Sequence, residues 1–145
     1  MLKKSFLNYF YILFLGAISS YSLPPYNYFV INFITFPLFF IFIFNKKMEL
    51  SNNKSLFKYG WCFGFGYFLF SLYWISISLT FDQDFKFLIP AAIILIPAFL
   101  SIFYGLITYL FSIFYSKNVI NSFFIFSILF GVTEFIRGSI LTGFP

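Results

Sequence analysis

Residues 5–45, SFLNYFYILFLGAISSYSLPPYNYFVINFITFPLFFIFIFN, form a run of 41 residues without a charged side chain. A helix that crosses a bilayer needs roughly 20 apolar residues, so this run is long enough for two. Proline lacks the amide hydrogen that a helix interior uses, and it biases the preceding residue towards extended backbone. The adjacent Pro24 and Pro25 therefore divide the run, and we predict two membrane helices, over 6–23 and 28–44, joined by a tight turn.

The whole chain is as poor in charge as this run. Its 145 residues are 61% hydrophobic and 9% charged, whereas about 25% of the residues of an ordinary soluble domain are charged. A soluble fold of this size needs polar side chains to cover the surface that its core cannot hide. The composition excludes such a fold and predicts an all-α integral membrane protein.

Three further uncharged runs follow the first, of 23, 30 and 16 residues. They predict helices over 57–79, 87–115 and 118–137, which gives a bundle of about five transmembrane helices. The last run is long enough only if Glu134 lies near a membrane interface. The polar stretch 45–54, NKKMELSNNK, is a loop between the second and third helices.

The basic residues predict the orientation of these five helices. If the amino terminus is cytoplasmic, the outer segments hold only Lys86 and Arg137, and the other seven basic residues are cytoplasmic: Lys3, Lys4, Lys46, Lys47, Lys54, Lys58 and Lys117. Cytoplasmic loops are enriched in Lys and Arg, so we predict a cytoplasmic amino terminus and an outer carboxyl end. The formal charge of +5 does not point to nucleic acid, because the lysines flank apolar runs and form no patch. An uncleaved first helix is expected, with a signal peptide as the alternative.

Cysteine and histidine usage restricts the chemistry of these residues. There is one Cys and no His, which excludes a disulfide, a His-containing zinc site and a His-assisted nucleophile within the 145 residues. Cys62 lies at the inner end of the predicted third helix with no base nearby in sequence. Asp82 and Asp84, with Lys86 beside them, predict a solvated turn. We therefore expect no catalytic residue, no metal site and no cofactor here.

Small side chains recur along one face of the predicted third helix, at Gly60, Gly64, Ser71 and Ser78. Small residues four apart let two membrane helices approach closely, so we assign this face to helix packing. The opposite side, of Phe, Leu and Ile, can face lipid. Tyr73 and Trp74, near the outer end, are candidates to line an entrance for a lipid or substrate, and packing alone is the alternative.

An ionisable pair ends the predicted fifth helix. Glu134 and Arg137 are three residues apart, which puts them on one helical face, and Gly138 follows as a stop signal. A charged residue at membrane depth is costly and is usually paired, inward-facing and functional. The pair is a candidate to position an outer loop or to contact substrate, and the alternative is an ion pair that fixes the depth of the helix.

Three stretches together resemble one family: SLPPY at 22–26, GFGYFLFSLYWIS at 64–76, and EFIRGSILTGFP at 134–145. They are similar to apolipoprotein N-acyltransferases, bacterial inner-membrane enzymes that add the third acyl chain to lipoproteins. The third stretch is the most specific, since in the family Glu-x-x-Arg-Gly leads into Thr-Gly-Phe-Pro and then Trp. The resemblance covers essentially all 145 residues but only the first part of the family's length.

The resemblance implies a bundle of eight membrane helices that carries a nitrilase-like domain on the periplasmic side. It implies a Glu-Lys-Cys triad in that domain, a phospholipid as acyl donor and a diacylglyceryl-cysteine lipoprotein as acceptor. No position of this sequence matches a member of the triad, so residues 1–145 are expected to be the membrane part and inactive alone. The implied location is the bacterial inner membrane, with membrane lipids as partners.

A small self-contained transporter subunit or helical scaffold is the alternative function. Transport folds place charged groups or unwound backbone carbonyls near the middle of the bilayer. The predicted spans hold no charge near their centres, which disfavours transport.

The orientation can be tested with reporter fusions. Fusions after Met48 and Lys117 should report a cytoplasmic location, and fusions after Asp84 and Pro145 a periplasmic one, because basic residues are retained on the cytoplasmic side. Paired alkaline phosphatase and fluorescent protein reporters at each position provide the measurement. A periplasmic signal from the Met48 fusion would contradict the orientation.

Overall fold

The computed structural model of the chain describes residues 2–49, 53–73, 87 and 89–140. This part of the chain is all-helical, as the composition predicts. It contains five α-helices, which are α1 (Leu2–Ser19), α2 (Asn32–Glu49), α3 (Asn53–Ser71), α4 (Ile89–Phe114) and α5 (Val119–Ile140).

Three of the described helical segments are long and apolar enough to cross a membrane. They are Phe29–Glu49, which contains α2, and the two helices Ile89–Phe114 and Val119–Ile140. That α1 and α3 also cross the membrane, and the direction in which each helix crosses it, remain predictions.

The turn at Pro24 and Pro25 differs in detail from the prediction. α1 ends at Ser19, short of the predicted end at Leu23, because a single 3-10 turn over Ser20–Ser22 follows it. The hydroxyl groups there satisfy carbonyls that the helix end leaves open: Ser20 Oγ donates to the Ala17 carbonyl at 2.7 Å, and Ser22 Oγ to the Ser19 carbonyl at 2.8 Å. A second 3-10 turn, Phe29–Ile31, delays the start of α2 to Asn32.

Polar contacts also join the two sides of this turn. The Ser19 hydroxyl donates to the Thr35 hydroxyl, and Asn32 Nδ2 donates to Ser22 Oγ at 2.9 Å. Asn27 has a φ of 56°, in the left-handed region that Asn tolerates better than most residues. Side-chain hydrogen bonds therefore hold the two sides of the turn together, although Asn32 Oδ1 is buried and has no hydrogen-bond partner among the described residues.

α3 is the central helix of the described structure, and glycines bring it close to two neighbours. On one face, a Cβ added at Gly60 would collide with the Thr108 side chain and the Tyr104 carbonyl of α4. One added at Gly64 would lie 2.9 Å from Tyr104 Cβ and 3.1 Å from Ser101 Cα. Only a residue without a Cβ allows this separation of the helix backbones.

The side of α3 opposite Gly60 and Gly64 is not left to lipid alone, because part of it packs on α1. A Cβ at Gly66 would collide with the Leu13 carbonyl of α1, and one at Gly16 of α1 would collide with the Phe63 carbonyl of α3. Cys62 Sγ also contacts the Tyr9 carbonyl of α1, at 3.6 Å. α3 therefore packs on α1 with one side and on α4 with the other.

Aromatic side chains fill the space between α2, α3, α4 and α5. Phe39 and Phe63 are fully buried and stack with their ring centroids 4.0 Å apart. Phe126 of α5 meets Phe39 edge to face at 5.8 Å, and Phe130 meets Tyr104 in the same way at 5.1 Å. Both geometries are favourable for aromatic quadrupoles, and they attach α5 to the rest of the bundle.

Alanine substitutions at glycines test this packing. Gly60→Ala and Gly66→Ala should each destabilise the chain by about 1–3 kcal/mol, because the added Cβ meets backbone that cannot move aside. Gly131→Ala is the matched control. Nothing lies within 4 Å of its Cβ position, so helix propensity should leave stability unchanged or raise it by up to about 1 kcal/mol. Thermal unfolding in detergent is the measurement, and equal effects at all three positions would contradict the packing.

Candidate functional site

Glu134 and Arg137 form an ion pair on one face of α5. Arg137 Nη2 donates to Glu134 Oε2 at 2.6 Å, and Arg137 Nε donates to the same oxygen at 3.2 Å. The Arg137 side chain is only 6% exposed and the Glu134 side chain 29%. The spacing of three residues produces the contact, and the surrounding helices bury the guanidinium.

Aromatic side chains from α3 and α4 enclose this pair. The Arg137 guanidinium carbon lies 5.5 Å from the centroid of the Phe68 ring, which is a cation–π distance. The phenols of Tyr67 and Tyr104 are near enough to interact electrostatically with both charges. Residues of α3, α4 and α5 therefore meet around one cation, and we call Phe68, Tyr67, Tyr104, Glu134 and Arg137 the Arg137 cluster.

One carboxylate oxygen of the cluster is not satisfied. Glu134 Oε2 accepts both bonds from Arg137, whereas Oε1 is buried and has no hydrogen-bond partner of acceptable geometry among the described residues. Burying a carboxylate oxygen without a hydrogen-bond donor costs free energy. Glu134 Oε1 can therefore still accept a hydrogen bond.

The other predicted site residues lie elsewhere. Tyr73 is 48% exposed and, with Ser71, borders a hollow of about 80 Å³ beside Pro24, Pro25 and Tyr26. Ser71 Oγ donates to the Phe68 carbonyl of its own helix at 3.4 Å. Trp74 and Ser78 lie outside the described residues.

Sequence reasoning missed the contribution of α4 to the cluster. Tyr104 is nearly fully buried and belongs to a stripe of hydroxyl-bearing residues on one face of a largely apolar helix. The stripe recurs at spacings of three and four, at Ser101, Tyr104, Thr108 and Ser112, and all four are buried. That periodicity is typical of a helix face that points into the bundle. The sequence therefore contained a signal that could have predicted the inward position of Tyr104.

The part of the chain that the structure describes contains no group of three or more His, Cys, Asp or Glu side chains suited to a metal ion. Of the two ion pairs seen in the described residues, the one in the Arg137 cluster is the more buried. The fold and the cluster define a class, a helical membrane domain with a partly buried ion pair at the end of one of its helices.

Comparison with known proteins identifies the family. Residues 15–145 match the apolipoprotein N-acyltransferase N-terminal domain, so the chain belongs to the apolipoprotein N-acyltransferase family through that domain. It is similar to the apolipoprotein N-acyltransferases of Rhizobium leguminosarum bv. trifolii (37% identical over 136 residues) and Brucella melitensis (32% over 137 residues). Each of these matches covers 90% of this chain and 25% of the relative. The chain thus spans about a quarter of the length of these relatives.

We expect the Glu134–Arg137 ion pair to stabilise the folded chain. Glu134→Ala should destabilise the chain by about 1–3 kcal/mol, because it removes the carboxylate that accepts two hydrogen bonds from a buried guanidinium. The exposed fraction of Glu134 favours the lower part of this range. Glu49→Ala removes the acid of the Lys46–Glu49 pair, which has the same spacing but a Glu that is 61% exposed, and should cost at most about 1 kcal/mol. Thermal unfolding in detergent measures both, and similar losses in the two variants would contradict the cluster.

Proposed function

We propose that residues 1–145 form the amino-terminal membrane domain of an enzyme that transfers an acyl chain from a phospholipid to the amino terminus of a diacylglyceryl-cysteine lipoprotein. The observation that carries this proposal is the family match over residues 15–145. The membrane setting is supported by three helical segments long and apolar enough to cross a bilayer. The bacterial inner membrane is the proposed location.

The catalytic groups are proposed to come from outside these 145 residues. Acyl transfer needs an activated nucleophile with a base and oxyanion donors around it. The only Cys of the sequence, Cys62, is partly buried between α3 and α1, where its thiol faces the Tyr9 carbonyl. A carbonyl oxygen is not a base that can activate a thiol, so we assign Cys62 no catalytic role.

The Arg137 cluster is proposed to position the segment that follows α5. Arg137 is tied to Glu134 on its own helix, to Phe68 of α3 by its cation–π contact, and electrostatically to Tyr104 of α4. These contacts hold the last turns of α5 against α3 and α4. The predicted orientation places this end of α5 on the periplasmic side, where lipoprotein acylation by the family takes place. Tyr73 and Trp74 are proposed to line an entrance for lipid on the same side.

A chimaera tests the proposed function. Residues 1–145 replace the corresponding membrane segment of a full-length relative, and the chimaera is expressed in bacteria depleted of their own acyltransferase. We expect a triacylated lipoprotein amino terminus by mass spectrometry, because the domain supplies the missing membrane part. Residues 1–145 expressed alone should insert in the membrane and give no triacylated product. An active fragment or an inactive, properly inserted chimaera would contradict the proposal.

The same chimaera tests the role of the cluster. Glu134→Ala should lower acylation at least about tenfold, which corresponds to about 1.4 kcal/mol in the barrier, while membrane insertion stays normal. Ser127→Ala is the control on the same helix, because the Ser127 hydroxyl is exposed and bonds only to the Phe123 carbonyl of α5. If Glu134→Ala and Arg137→Ala both leave acylation intact, the ion pair only fixes the depth of α5.

A further inference from the structure

A groove of about 520 Å³ lies beside the first turns of α3. It is lined by Tyr9 of α1 and by four residues of α3, Phe57, Lys58, Trp61 and Cys62. The four α3 residues occupy positions i, i+1, i+4 and i+5, which form one helical face. We call this space the α1–α3 groove.

The aromatic walls of the groove are held in place by their own contacts. The Trp61 indole donates to the Ala98 carbonyl of α4 at 3.0 Å and stacks on Phe65 with centroids 5.2 Å apart. Tyr9 stacks on Tyr59 at 4.7 Å. A binding surface whose side chains are already ordered loses little conformational entropy when a ligand binds.

The charge of the groove is positive. Lys58 is exposed, and among the described residues it has no acidic partner, since the ion pairs seen there join Lys46 to Glu49 and Arg137 to Glu134. An apolar trough with one ammonium group at its rim matches a molecule with a hydrocarbon chain and an anionic head. Basic pockets between membrane helices bind anionic lipid headgroups in this way.

We propose that the α1–α3 groove binds one anionic phospholipid, with its phosphate against the Lys58 ammonium and an acyl chain along Tyr9, Trp61 and Cys62. The site is separate from the Arg137 cluster, because it lies at the opposite end of α3. It therefore does not depend on the proposed acyl transfer. Under the predicted orientation the lipid comes from the cytoplasmic leaflet.

Tryptophan quenching by brominated lipids tests this site. The chain holds two tryptophans, so Trp74→Phe leaves Trp61 as the single fluorophore. This variant is reconstituted into phosphatidylethanolamine vesicles that contain a minor fraction of brominated phosphatidylglycerol, or the same fraction of brominated phosphatidylethanolamine. One lysine attracts an anionic lipid with an energy that corresponds to about a fivefold enrichment. We expect that preference for phosphatidylglycerol in the quenching of Trp61.

Three further variants in the Trp74→Phe background assign the preference to Lys58. Lys58→Gln should abolish it, and Lys58→Arg should retain it because the charge is kept. Lys117→Gln should also retain it, since Lys117 is an exposed lysine on the same predicted side but outside the groove. Equal quenching by both lipids, absence of quenching by either, or a preference that survives Lys58→Gln would each overturn the proposal. Vesicle quenching does not depend on the leaflet, so the orientation can fail in the fusion experiment without affecting this result.

Discussion

The rest of the described structure depends on the approach of α3 to two helices at once. Membrane helices gain no hydrophobic free energy from leaving lipid for each other, so their association rests on van der Waals packing and polar contacts. Both depend steeply on distance. The glycines on the two sides of α3 remove the Cβ atoms that would hold α1 and α4 apart, and backbone carbonyls occupy that space. α3 therefore fixes the position of its neighbours, and α2 and α5 complete the bundle through aromatic side chains.

The burial of Arg137 follows from that packing. A guanidinium in apolar surroundings is tolerated only when a negative charge lies beside it and its N–H donors have hydrogen-bond acceptors. Glu134 supplies the charge locally. The Phe68 ring of α3 lies against the Arg137 guanidinium, and Tyr104 of α4 packs on Phe68 at 5.4 Å, because Gly64 lets those two helices approach closely. A wider separation of α3 and α4 would open the aromatic enclosure and expose the ion pair. The glycine contacts and the cluster are thus parts of one arrangement.

The sequence predicts some of these features and not others, for physical reasons. Runs without charge predict helices because a bilayer excludes ionised side chains, and the Glu134–Arg137 contact is predicted because a helix fixes the distance between residues three apart. The glycine face at Gly60 and Gly64 is also visible as a spacing. The contact at Gly66 cannot be predicted in this way. Residue spacing shows which face of a helix carries small side chains, but it does not show how many other helices pack against that helix. For the same reason the contribution of Tyr104 required the relative placement of two helices.

The position of the charges along the helices bears on the kind of function that the domain supports. A transporter has to stabilise its substrate near the middle of the bilayer, and it uses charged groups or unwound backbone there. In the described residues the buried ion pair instead lies in the last turns of α5, and the groove at Lys58 lies in the first turns of α3. Polar groups at the ends of membrane helices are suited to contact lipid headgroups. Their placement here therefore supports the proposed phospholipid function over the movement of a solute across the bilayer.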